Sequence, residues 1–157
     1  MADASRALFF IGGAFWLVIG VLTPLAMDRD IGRPALFVTE ATDTELYGRP
    51  PEQILSSVPE LATFRSVVLR AIAGLLVAAG LLVVGVAWFG LREPEAWALA
   101  LLTLVALVVL PYWWITFGAY RTAGVSLPLT SVPPFMWVPG ILMPVGAVLG
   151  WIAYLRA

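Results

Sequence analysis

Hydrophobic positions in this chain fall into four long, nearly unbroken blocks, separated by polar stretches of very unequal length. The blocks cover 7–27, 67–90, 95–117 and 134–155. Arg6 and Asp28 flank the first, and Arg156 closes the last. A helix rises ~1.5 Å per residue, so about 20 residues cross the ~30 Å hydrocarbon layer, and each block is long enough. Lipid offers no partner to exposed backbone groups, so each block is expected to be a helix. The pattern therefore predicts an all-α integral membrane protein. Its expected form is an antiparallel four-transmembrane-helix bundle, a single domain over 1–157. A small, partly helical extramembrane cap, 28–66, lies between the first and second helices. The length of the first block, and a leader holding both Asp3 and Arg6, argue against a cleavable signal peptide.

Proline and small residues punctuate the blocks. Pro24 and Pro111 fall late in the first and third, and Pro94 precedes the third, where a missing N–H costs nothing. Pro133, Pro134, Pro139 and Pro144 crowd the fourth and predict an irregular start and a kink whose freed carbonyls are met by neighbouring helices. Gly12, Gly13 and Gly20 lie in the first block, and Ala71, Gly74 and Ala78 share one side of the second. Gly146 and Gly150 form a GxxxG spacing, which lets backbones approach closely. Gly74, Ala78, Gly146 and Gly150 are the expected helix-packing positions, inside the unit rather than at a dimer seam. Gly90 is expected to be less constrained.

The cap is the only sizeable polar part. Ala35 to Thr39 reads as a short apolar, extended run, and Tyr47 to Pro51 as a turn. A short helix is expected from Pro51. Ser56 or Ser57 then caps a second helix, with Pro59 and Glu60 in its first turn, that continues into the second span. Leu61, Phe64 and Val68 share one of its faces. Asp28, Arg29 and Asp30 pair locally.

Trp88, Phe89 and Trp97 bracket the tight turn at Arg92, and Trp137, Trp151 and Tyr154 mark the ends of the fourth span, as an interfacial aromatic belt requires. A denser cluster, Tyr112, Trp113, Trp114, Tyr120 and Arg121, is the candidate ligand-binding set, walling a site for a hydrophobic molecule.

Composition narrows the chemistry. Hydrophobic residues make up 61% of the chain and charged residues 12%, about half the share of a soluble domain, which places it in a membrane. There is no His, Cys or Lys, and all nine positive charges are Arg. Thiolate chemistry, imidazole ligation and Schiff bases are thereby excluded. No metal or cofactor is expected, since Asp28-x-Asp30 and Asp43-x-Glu45 are too short to make a site. The acids of the cap read as a solvated face with local ion pairs. A net charge of −1 without a basic cluster argues against nucleic acid.

The spans hold no Asp or Glu away from their ends. Arg70 lies close enough to an end to snorkel, and Thr103 can bond back to its own helix. Proton-coupled exporters, membrane thiol oxidoreductases, intramembrane proteases and haem cytochromes are excluded on these residues. The remaining expectation is a non-enzymatic multi-pass protein of a bacterial inner membrane, both termini cytoplasmic. It would act by packing with itself or as an accessory subunit of a larger membrane complex, with membrane lipids as partners. The alternative is a binder or carrier of a hydrophobic small molecule or lipid, using a cleft under the 28–66 cap.

Overall fold

The computed structural model describes residues 1–28, 35–93, 95–128 and 131–156. Arg29, Asp30 and Pro94, to which the sequence assigns a local ion pair and a helix start, lie outside them. The described residues are all-helical, with no strand. In order they form α1 (Ala2–Asp28), α2 (Glu40–Tyr47), α3 (Pro51–Ser57), α4 (Pro59–Gly90), α5 (Ala96–Thr116), α6 (Gly118–Thr122) and α7 (Pro134–Leu155). Of these, α1, α4, α5 and α7 are long and apolar enough to cross a membrane.

Helix ends follow from local chemistry. Asp3 sits in the first turn of α1, where the macrodipole is positive, and the helix starts at Ala2, ahead of its apolar block. Pro59 and Glu60 open α4, which runs unbroken into the apolar block. The expected serine cap is absent: Ser57 Oγ donates to Ile54 O inside α3 (2.9 Å), and Val58 stands at the boundary without a side-chain cap bond. The apolar run 35–39 is a series of bends rather than a strand, and it leads into α2, a helix the sequence reading does not contain. Thr39 caps α2 by accepting from the Thr42 N–H, and Gly48 ends it at φ +67°, a left-handed conformation that glycine adopts without strain.

Glycines set which helices touch. A Cβ at Gly13 would stand 2.8 Å from Val83 Cγ1, at Gly80 2.6 Å from Gly13 O, and at Gly20 2.7 Å from Ala73 O. The α1 and α4 backbones therefore meet directly, with α4 numbers falling as α1 numbers rise. The α1–α7 contact runs likewise through Ser5 with Gly146, Gly12 with Met143, and Trp16 with Phe135. Helix α5 lies on α7 through Leu99 with Gly150, Thr103 with Trp151, and Trp113 with Gly140.

Of the expected packing positions, Gly146 and Gly150 face α1 and α5 within the unit. Gly74 and Ala78 do not pack: both are exposed, and a Cβ at Gly74 meets nothing within 4 Å. The rotation of α4 turns Gly80, not Gly74, toward α1. Gly90 is not slack either, because a Cβ there would stand 2.6 Å from Ala98 Cβ at the α4–α5 turn.

The core is Phe9, Trp16, Val83, Ala87, Leu91, Ala98, Leu99, Leu102, Ala106, Met143 and Ala147. Its α4 and α5 members come from the halves beside their shared turn. The far halves of those two helices contribute no buried residue to it.

Candidate functional site

Because α4 and α5 close on each other only near Gly90 and Ala98, their far halves leave an apolar cleft. A groove of about 270 Å³ lies there. Leu69, Ile72 and Leu76 of α4 form one wall and Val109, Trp113 and Thr116 of α5 the other, with Trp16, Phe135 and Met136 behind and Phe37 at the cap end. Helix α5 continues through Pro111 to Thr116, so the wall is helical along its length.

The back of the cleft is fixed by a proline. Residue 139 would normally donate its N–H to the carbonyl of residue 135; Pro139 has none. Trp16 Nε1 donates to Phe135 O instead, at 2.8 Å. A carbonyl left unpaired in a dry interior is costly, so this bond both satisfies α7 and pins the indole. Thr103 Oγ1 donates to Leu99 O (2.7 Å) and accepts from Trp151 Nε1 (3.0 Å). Thr116, the one hydroxyl on the cleft wall, donates to Tyr112 O (2.8 Å). Apart from the Trp113 indole N–H, the cleft presents carbon surface, and it selects a ligand mainly by shape.

A second groove of about 340 Å³ continues outward, between the inner face of the cap and the start of α4. Leu36, Phe37, Tyr47 and Ile54 line it from the cap, and Leu61, Phe64, Arg65, Val68 and Leu69 from α4. The shared face of Leu61, Phe64 and Val68 is its floor. Phe37 and Leu69 border both grooves, so Phe37 stands between the cleft and the cap.

Phe37 is held in place by a buried carboxylate. Asp43, with no exposed surface, accepts the Leu36 and Phe37 N–H groups on Oδ2 (2.7 and 3.0 Å) and the Tyr120 hydroxyl on Oδ1 (2.7 Å). Val38 packs with Tyr120 and Val125 beside it. Burial, reinforced by the Asp43 carboxylate, holds the Tyr120 phenol well above its ordinary pKa. The cap is thereby tied to the segment after α5 through a single acid. This corrects the reading of the cap acids as a solvated face: Glu45, Glu52 and Glu60 are exposed, but Asp43 is structural. A polar segment gives no hint of one fully buried member. Thr39, spaced three residues from Thr42, and Gly48 were the available signals for the helix that carries it.

The five candidate ligand residues are not brought together. Trp113 alone lines the cleft, with its ring against Gly140. Tyr112 and Trp114 are each 68% exposed on the outer surface. Arg121 stacks on the Trp114 ring, 3.3 Å from its centroid, and Nη2 donates to Trp114 O (2.7 Å), so the pair is self-contained. Tyr120 faces Asp43. Consecutive residues on a helix point about 100° apart, so Tyr112, Trp113 and Trp114 cannot share one wall. Among the described residues, no three acids gather as a metal site would need.

The chain matches no protein-family model, no curated protein and no solved structure.

Proposed function

We propose that the chain is a non-enzymatic, multi-pass membrane protein, an antiparallel four-helix bundle whose cleft between α4 and α5 takes one apolar chain, such as a lipid tail or an isoprenoid or carotenoid-like molecule. The observation that carries the reading is the cleft itself: walls of carbon, a back wall fixed by Trp16, and Phe37 over its outer end. Enclosure rather than hydrophobicity supplies the preference, since a bilayer is already as apolar as the site. The long acidic segment 28–66 supports placing the cap outside and both termini in the cytoplasm of a bacterial cell. The test is photolabelling in liposomes with a diazirine-bearing fatty acid. Labels should concentrate on Ile72, Leu76, Val109 and Trp113. Filling the cleft with Ile72→Trp and Val109→Trp together should reduce them about tenfold, as loss of a shape-fitted site predicts. Even labelling over all outer faces, unchanged by the double substitution, would overturn the proposal.

A second reading, association with another copy or with a larger membrane complex, is favoured by the outer face of α4. Ala71, Gly74 and Ala78 are exposed there in helical register, open to a partner backbone. Gly74→Leu should then lower the mass of the detergent-solubilised particle. An unchanged mass counts against this reading.

A further inference from the structure

The end of the molecule opposite the cap carries a different kind of site. An open groove of about 390 Å³ is lined by Asp3, Arg6, Ala7, Phe10, Ile11 and Trp88. It lies where the first turns of α1 meet the last turn of α4, at the depth where aromatic rings and snorkelling arginines meet headgroups. Two cations converge on one ring: the Arg6 guanidinium carbon is 4.8 Å from the Trp88 centroid, and that of Arg92 is 5.9 Å away. Phe10 leans against the same indole, 5.9 Å between centroids. Among the described residues, neither guanidinium is ion-paired or hydrogen-bonded. Each instead faces the Trp88 ring, which engages the cation and leaves the N–H donors unspent. Asp3 lines the groove without pairing to Arg6.

Two unspent guanidinium groups beside an apolar slot match one chemistry, a phosphate joined to a hydrocarbon chain. We propose that this groove binds an anionic glycerophospholipid of the leaflet on the termini side. The phosphate takes N–H donors from Arg6 and Arg92, and the first part of one acyl chain lies along Phe10 and Ile11. Arginine suits this role because its planar fork meets phosphate oxygens bidentately. Trp88 holds the two forks in place, and the positive end of α1 adds to the attraction. The site is independent of the cleft under the cap and would stand if that reading failed.

Native mass measurement tests it, on protein extracted in mild detergent from bilayers of equal phosphatidylglycerol and phosphatidylcholine. The wild-type chain should retain phosphatidylglycerol preferentially. Arg6→Gln with Arg92→Gln should reduce that preference about thirtyfold, the effect of two interfacial cations. Arg156→Gln, at the same end but outside the groove, should leave it unchanged. Ala7→Trp fills the slot with both cations in place and should also abolish it, so the proposal remains testable if the double variant does not fold. Added glycerol phosphate should not displace the lipid; full displacement would mean that the groove reads phosphate alone and would overturn the lipid assignment. Equal losses in Arg156→Gln and the double variant, or no loss in either groove variant, would overturn the site.

Discussion

Asp43 decides the cap because three donors depend on it at once. Tyr120→Phe removes one of them and leaves Oδ1 without its partner, at a cost of about 1–3 kcal/mol. Asp43→Ala strands the Leu36 and Phe37 amides and the Tyr120 hydroxyl together and should cost more. Asp43→Asn should fall between the two, because a rotated amide can accept both N–H groups and donate to the Tyr120 oxygen. Thermal unfolding of the three purified variants gives the order; an Asp43→Ala variant as stable as Tyr120→Phe contradicts it. The raised Tyr120 pKa carries a pH dependence whose sign is fixed. The folded chain holds this proton more tightly than the unfolded chain, so the stability it provides is complete below about pH 10, the ordinary phenol value, and is lost as pH rises beyond it. An alkaline titration of phenolate absorbance should therefore show a Tyr120 component that rises only with unfolding. In Tyr120→Phe, that component should be absent. The sequence named Tyr120 for a ligand pocket. Its actual partner, 77 positions away, follows from the cap folding back over α6, which no local pattern encodes.

The spans themselves were legible, since length and lipid leave a hydrophobic block no option but a helix, and the fourth matched its block from Pro134 to Leu155. Which faces meet was not legible. That depends on each helix's rotation, and a Gly-rich chain offers several equivalent seams. Gly146 and Gly150 packed inside the unit, while α4 used Gly80 and left Gly74 outside. Gly20→Leu or Gly80→Leu forces a side chain into facing backbone and should cost about 1–3 kcal/mol or more. Gly74→Leu should change the stability of the isolated unit by less than about 0.5 kcal/mol. Chemical or thermal denaturation in detergent separates these outcomes, and equal losses at all three positions would refute the seam. The α7 prolines were readable as a source of orphan carbonyls, but not the donor that meets one. Trp16→Phe should destabilise the native chain and do so less in a Pro139→Ala background, where a restored N–H bonds Phe135 O. A double-mutant cycle with no coupling would contradict the bond's role.

At the scale of the whole molecule, chemistry is confined to the two ends and the middle is apolar. Among the described residues, Asp and Glu occur in the long helices only in first turns or at their ends, so the reconstituted protein should not pass protons or cations; a robust flux driven by a pH gradient would contradict this. The sequence places an alternative cleft under the cap, walled by the aromatics of the third span; the groove seen there has α4 for its other wall and takes only Trp113 from that set. Hydropathy sets where helices cross the bilayer, whereas the cleft depends on how the far halves of α4 and α5 stand around α1 and α7, which no span pattern encodes. Both proposed sites presuppose that the cap and the termini lie on opposite sides of one membrane. The chain has no cysteine, so single substitutions report cleanly. The most direct measurement is labelling of Asp3→Cys, Arg92→Cys, Glu52→Cys and Thr122→Cys in sealed, oriented vesicles with a membrane-impermeant maleimide. Positions 3 and 92 should react from one side and positions 52 and 122 from the other. Reaction of 3 and 52 from the same side would contradict four crossings and, with them, the cleft and the arginine groove.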